Sequence, residues 1–260
     1  MNDSQDYQNF LSERGMTDAD VKQISGDVAD VKYYPSNETE VRMSLIEGFG
    51  LFATADLHKG SKIMPARIGE TRTQAGRFVN HSAKPNAQMI AVDGDIVLMA
   101  IADIAPGTEI TINYRQSESA VKLAHRQKLA ALEKSITDSG QAIELPVKHH
   151  FAHGTYVREL EIPAGVVLTG KIHRYSCTNM LIKGRVKVVS DEGEIVIIAP
   201  AIFKTGPDVK KAIAAIEDSI FINVHPWNGT DDLDAIESKL IIDASEALES
   251  QAQEKSLCHG

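Results

Sequence analysis

The residues whose types can do chemistry fall into two sets. The first holds Gly48 and Gly50 on either side of Phe49, then Asn80 and His81, then Tyr114. Backbone at a glycine can lie close against a ligand because no Cβ stands in the way. An asparagine amide both donates and accepts hydrogen bonds, and a phenol orients a partner without ionising. The second set is Glu159, His173 and His225, a carboxylate and two imidazoles of the kinds that ligate zinc, iron or manganese. Each has a plainer reading beside it. A glycine pair makes a turn, an asparagine caps one, a histidine sits hydrogen-bonded in a core, and a tyrosine packs on a strand.

The elements that must position these residues are short. From Val41 the chain alternates apolar runs with Gly, Pro, Asn and Asp, which predicts strands and turns. Asp93-Gly94, between residues 88–92 and 96–101, predicts a hairpin, since Asp-Gly supplies the positive φ angles of a tight turn. After Tyr114 the period changes. Val121, His125, Leu129, Leu132 and Ile136 recur every three or four residues, with Ser117 as the cap, so one helix runs to about Ser139-Gly140. Strands are then expected at 156–162, 166–172, 180–182, 185–189, 194–198 and 219–224, spaced as in a small barrel or jelly roll. Short helices are expected over 17–25 and from Thr230 onward, the latter with Leu233, Ile236, Leu240, Ala244 and Leu248 on one face.

Three strings, in this order and at this spacing, resemble the SET methyltransferase family over residues 41–115: Gly48-Phe49-Gly50-Leu51-Phe52-Ala53, then Arg77-Phe78-Val79-Asn80-His81-Ser82 with Pro85-Asn86, then Asp103 through Glu109-Ile110-Thr111-Ile112-Asn113-Tyr114. The resemblance implies S-adenosylmethionine as cofactor, held by Gly48, Phe49, Gly50, Asn80 and His81. It also implies Tyr114 as the catalytic residue and a protein lysine as methyl acceptor. Two departures stand out. Only 13 residues separate Ile63 from Arg77, where many relatives insert a longer segment, and no cysteine-rich zinc segment follows Tyr114. The linker helix, the second domain or a neighbouring subunit is expected to complete the lysine channel.

A second resemblance covers residues 145–228. Arg158-Glu159, Pro163-Ala164-Gly165, Thr169 through His173, Asn179 through Gly184 and His225 are similar to a cupin-like domain of tailed-phage proteins, some of which carry an N-terminal SET segment. Metal-binding cupins present paired histidines, a glutamate and a later histidine. Here Tyr175 takes the second histidine's place, and Lys210 and Lys211 stand where a further one is expected. Glu159, His173 and His225 remain as a reduced candidate set for a metal, while a small-ligand pocket or a dimerisation platform is the default role. His149, His150 and His153 read as a loop or edge strand.

Composition narrows the partners. A formal net charge of -9 without a basic cluster argues against nucleic acid and leaves a protein or peptide substrate, or a small ligand. Residues 1–40 hold nine Asp or Glu against three Lys or Arg, net -6, read as a solvated appendage, with docking of a basic peptide as the alternative. Two distant cysteines give no disulfide framework, no apolar run suits a bilayer, and Met1 to Phe10 is polar rather than signal-like. A cytoplasmic protein without membrane contact is expected, in the host cytoplasm if the origin is a phage, and a homo-oligomer. The fold expected is mainly β with flanking helices. It comprises an acidic extension over 1–40, a minimal SET-type domain over 41–116, a helical linker over 117–144, a cupin-like barrel over 145–228, and a helix and tail over 229–260. The function expected is methylation of a protein lysine. The alternative is a non-catalytic protein that binds or sequesters a small ligand or host factor through either pocket.

Overall fold

The computed structural model describes residues 3–17, 19–21, 31–140, 142–190, 193–229 and 232–242. The chain divides into two compact units, Met1–Lys128 and Leu129–Gly260. The fold is mainly β with a few helices, as expected.

The first unit opens with helix α1, Asp3–Arg14, which the sequence reading did not anticipate. Its Phe10 and Leu11 are buried, so this segment is packed against the unit rather than solvated throughout. At Thr17 the expected helix start is present as a reciprocal pair. The Asp20 backbone N–H donates to Thr17 Oγ1 at 3.3 Å, and the Thr17 N–H donates to Asp20 Oδ2 at 2.7 Å. The rest of that helix, including Ser25, lies outside the described residues.

Eight strands follow: β1 Thr39–Met43, β2 Phe49–Ala53, β3 Lys62–Ile68, β4 Thr71–Arg72, β5 Asn80–His81, β6 Ala87–Val92, β7 Asp95–Ala100 and β8 Glu109–Ile112. They form two sheets, ordered β1-β2-β8-β5 and β4-β3-β7-β6. The β6–β7 hairpin turns at Asp93 (φ 51) and Gly94 (φ 86), the two positive φ values its sequence demands. Pro65 sits inside β3, where the pairing with β7 shifts register, and such irregularities accommodate a residue that cannot donate to the ladder. Leu51, Ile63, Met64, Ile96, Leu98, Ile110 and Ile112 are buried together as the core of this unit.

One glycine fixes how the site is delivered. The short helix α2, Gln74–Phe78, lies directly on β3: a Cβ at Gly76 would stand 2.2 Å from the Ala66 carbonyl oxygen. Only glycine permits that approach, and the chain leaves α2 straight into Asn80-His81 on β5. There β5 pairs in parallel with β8, setting Asn80 beside Thr111 and His81 beside Ile112. Asn86 locks β8 from its other edge, donating to the Glu109 carbonyl and accepting from the Thr111 N–H, both at 2.8 Å.

Helix α3, Tyr114–Asp138, begins three residues before the expected cap. Asn113 is the cap, its Oδ1 accepting from the Arg115 N–H at 3.0 Å, while the Ser117 hydroxyl bonds back to the Asn113 carbonyl. Tyr114 therefore stands at a helix start, on the loop that leaves β8.

The second unit holds β9 Val147–Ala152, β10 Thr155–Ile162, β11 Val167–Thr169, β12 Ile172–His173, β13 Cys177–Lys183, β14 Arg185–Ser190, β15 Gly193–Ile198, β16 Ala201–Thr205, β17 Lys211–Ala215, β18 Ser219–Pro226 and β19 Ile241–Ile242, with helix α4 at Leu233–Leu240. The expected strand over 166–172 is two strands, and β16 and β17 were not foreseen. The helix is capped by Asp232, which accepts from the Asp234 N–H at 3.1 Å. Thr230, Ala244, Leu248 and Cys258 lie outside the described residues.

Two antiparallel sheets, β16-β13-β18-β10-β9 and β11-β17-β14-β15, face each other as a jelly-roll barrel. Leu160, Ile162, Leu181 and Phe221 of one meet Val186, Val188, Ile197 and Ile213 of the other. Strand alternation then carries polar residues inward at one end: Arg158 on β10, Cys177 and Asn179 on β13, Thr205 on β16, Lys211 on β17, and Asn223 and His225 on β18.

Candidate functional site

In the first unit the structure brings the expected residues together. Asn80 Nδ2 donates to the Glu47 carbonyl at 3.2 Å, the Phe49 carbonyl at 3.4 Å and Glu109 Oε1 at 2.8 Å. The Ser44 hydroxyl donates to the same carboxylate at 2.8 Å. Asn80 thus ties the Gly48–Gly50 turn to β8. Gly48 has φ 51, which favours glycine, and a Cβ at Gly50 would stand 2.3 Å from Glu109 Oε1, so a side chain there would displace that carboxylate. Phe49 is 56% exposed and meets Phe78 edge-on at 6.4 Å, leaving much of its ring to cover a ligand.

His81 is buried with both ring nitrogens engaged. The Tyr114 backbone N–H donates to Nδ1 at 3.3 Å, which puts the proton on Nε2, and Nε2 faces Asp6 Oδ2 at 3.0 Å. The Tyr114 ring packs on the imidazole with centroids 5.1 Å apart, and its hydroxyl donates to the Val79 carbonyl at 3.4 Å. Burial, followed by Tyr7 and Glu47 nearby, pushes the phenol up to about 12, so it is a neutral donor at physiological pH.

Helix α1, which is none of the elements expected to complete the channel, packs beside Tyr114. Tyr7 meets the Tyr114 ring edge-on at 6.2 Å and Phe10 does so at 5.9 Å. The Arg115 guanidinium donates to Asp6 at 3.1 Å and to Glu13 at 3.0 and 3.1 Å, and Arg14 pairs with Glu118. Acidic residues of the N-terminal segment therefore anchor α1 over Tyr114. Nothing local marks Asp6, Tyr7 or Phe10 as site residues, because their partners are remote in sequence. Arg77 was also missed: its Nε is buried without a hydrogen-bond partner among the described residues, and its charge acts on Tyr114.

In the second unit the candidate set changes by one member. His173 and His225 meet with ring centroids 4.9 Å apart. Glu159 does not join them: it alternates to the other face of β10, where Lys148 at 3.0 Å and His150 at 3.1 Å hold it. Cys177 stands in its place, Sγ 3.3 Å from His173 Nδ1, and the three side chains offer ligand atoms within 4.8 Å of one another. The nearby His149, on edge strand β9, has its Nδ1 2.7 Å from the Tyr156 hydroxyl.

Two imidazoles and a thiol are zinc-type donors. The surrounding charge opposes a cation. Burial, then His225, Lys211 and Arg158, drive His173 down to about 3, while burial, Lys211 and Arg158 drive His225 down to about 4. Burial raises the Cys177 thiol. The neutral imidazoles are the ligating form, so the donor types fit a metal; Lys211 and Arg158, though both lowered by burial, oppose a metal ion where they are charged.

Comparison with known proteins agrees with the first unit. The SET domain family model matches residues 66–115. No curated protein matches the chain. Among solved structures, KdgF from Halomonas sp. is 18% identical with a TM-score of 0.30, covering 35% of this chain and 87% of its own. An RmlC-like cupin with a double-stranded β-helix fold from Methanocaldococcus jannaschii is 19% identical with a TM-score of 0.28, covering 33% and 82%. A cupin superfamily protein from Desulfitobacterium hafniense is 8% identical with a TM-score of 0.29, covering 33% and 79%.

Proposed function

We propose that the first unit transfers a methyl group from S-adenosylmethionine to a protein lysine, and that the barrel serves as a small-ligand or assembly module. The observation that carries this reading is the Tyr114 phenol. It is neutral and partly buried, and it sits at the junction of β8 and α3 beside His81. The residues fit the cofactor. Gly48, Phe49 and Gly50 offer close backbone and an aromatic cover, Asn80 holds that turn, and the unpartnered Arg77 Nε–H suits the carboxylate of a methionine moiety. Bound there, the cofactor would supply an electrophilic methyl group.

The chain's own contribution is alignment and exclusion of water. A neutral Tyr114 hydroxyl orients an amine by hydrogen bonding, and the Val79 carbonyl fixes where that hydroxyl stands. Tyr7 and Phe10 form an apolar wall beside the phenol, which keeps a nearby amine from being solvated. In this reading α1 replaces the zinc segment that relatives use.

Calorimetric titration with S-adenosylmethionine tests it first, with Asn80→Ala as control. Binding by the wild type that the control loses supports the cofactor site. No binding by the wild type would reduce the SET fold to a scaffold.

The rival reading is a non-catalytic binder that acts through the barrel. It is favoured by the same α1 contacts, since Tyr7 and Phe10 occupy one side of Tyr114. Unchanged biological activity in Tyr114→Phe would select it. A symmetric homo-oligomer is part of either reading, supported by Ile182 and Ile202, 50% and 73% exposed on the outer face of the larger barrel sheet. A monomeric mass by light scattering at micromolar concentration would refute it.

A further inference from the structure

The polar end of the barrel holds positive charge without a carboxylate against it. Lys211 enters from the head of β17, 6% exposed, and donates to Asn179 Oδ1 at 3.2 Å and Thr205 Oγ1 at 3.4 Å. Its ammonium stands 5.4 Å from the centroid of the Phe221 ring. Both acceptors are neutral and already engaged. Asn179 Oδ1 accepts from Asn223 Nδ2 at 2.7 Å, and Thr205 Oγ1 accepts from Asn179 Nδ2 at 2.7 Å. Arg158 adds a second partly buried cation, near enough to depress both histidines. Among the described residues no acidic side chain forms an ion pair with either cation. The Glu237 carboxylate acts on Arg158 but is paired with Lys171.

A buried ammonium with only neutral acceptors is costly: burial lowers Lys211 toward the neutral amine, and an anion beside it would favour the charged form. A cavity of about 470 Å³ lies beside it, its lining including Val188, Ile197, Phe203 and Val209 together with Thr205 and Lys211. The lining carries one buried cation, Lys211, besides the exposed Lys204, and its wall is mostly aliphatic, which suits a carboxylate on a hydrocarbon body. Inorganic phosphate has no such body, and a second carboxylate would be desolvated against the aliphatic side chains.

We propose that this cavity takes a small aliphatic monocarboxylate, its carboxylate on the Lys211 ammonium beside Thr205 and its chain along Val188, Ile197, Phe203 and Val209. This rests on the reading of the barrel as a ligand pocket, and it replaces the metal ion as the barrel's guest.

Calorimetry on the full chain with sodium hexanoate, hexan-1-ol and sodium phosphate tests it. Hexanoate should bind about tenfold or more tighter than hexanol, equivalent to about 1.4 kcal/mol, and phosphate more weakly than hexanoate. Lys211→Met keeps length and apolar bulk while removing the charge, so it should erase the preference and retain hexanol binding. Equal binding of hexanol and hexanoate by the wild type overturns the charge assignment while leaving the ligand pocket standing. Binding of neither at millimolar concentration overturns both. Hexanoate binding in Lys211→Met at the wild-type affinity removes Lys211 from the site. The wild-type comparison decides alone if that variant does not fold.

Discussion

Asp6 Oδ2 lies 3.0 Å from His81 Nε2, joining the N-terminal helix to the strand that carries the candidate cofactor residues across 75 positions of sequence. Because His81 Nδ1 already accepts from the Tyr114 backbone, this contact fixes the tautomer of the imidazole on which the phenol packs. An acidic N-terminal segment is thereby a structural part of the SET-like unit.

Leu11→Ala measures that role. Leu11 is 2% exposed, so truncation should cost about 2–5 kcal/mol in urea unfolding. A change within about 0.5 kcal/mol would return α1 to the status of a solvated appendage.

Tyr114→Phe should abolish methyl transfer while leaving S-adenosylmethionine affinity nearly intact. Its hydroxyl makes one long bond among the described residues, 3.4 Å to the Val79 carbonyl, so the stability cost should not exceed about 1 kcal/mol. Labelled methyl transfer and calorimetry on the same preparation separate the two effects.

Gly50→Ala places a methyl group where Glu109 Oε1 now lies, 2.3 Å from the new carbon. The carboxylate must move, loosening its bonds from Ser44 and Asn80 together. Cofactor affinity should fall, with a stability loss of about 1–3 kcal/mol. Wild-type affinity in this variant would show that the turn is not part of the cofactor site.

Acid should destabilise the barrel. His173 and His225 titrate at about 3 and about 4 when folded, below the usual histidine value near 6.5. The unfolded chain therefore binds more protons in this window. Stability is full above about pH 6.5 and falls as pH drops toward 4, by up to about 1.4 kcal/mol per pH unit for each proton taken up. The double variant His173→Gln/His225→Gln should flatten that slope in unfolding measured across pH, and an unchanged slope would assign it elsewhere.

Zinc chloride should leave the unfolding midpoint of the wild type unchanged, since Lys211 and Arg158 place positive charge at the His173, Cys177 and His225 donors. A rise in midpoint that vanishes in Cys177→Ser would reinstate a metal there.

The features legible from residue types and spacing are local. The turn at Asp93-Gly94, the long helix after Tyr114, the spaced strands of the second half and the ordered SET strings all depend on neighbouring residues, whose conformational preferences are readable in place. Pairing of β5 with β8 sets Asn80 beside Thr111 and brings His81 against Tyr114. Long-range packing sets α1 beside Tyr114, puts Cys177 rather than Glu159 with His173 and His225, and brings Lys211 to Asn179. A strand's inward face is set by register against its partners, and one step of alternation turns Glu159 out while Arg158 turns in. Short strands such as β16 and β17, which bring Thr205 and Lys211 to the cavity, have too few residues to announce their period. They are held in place by the sheets around them.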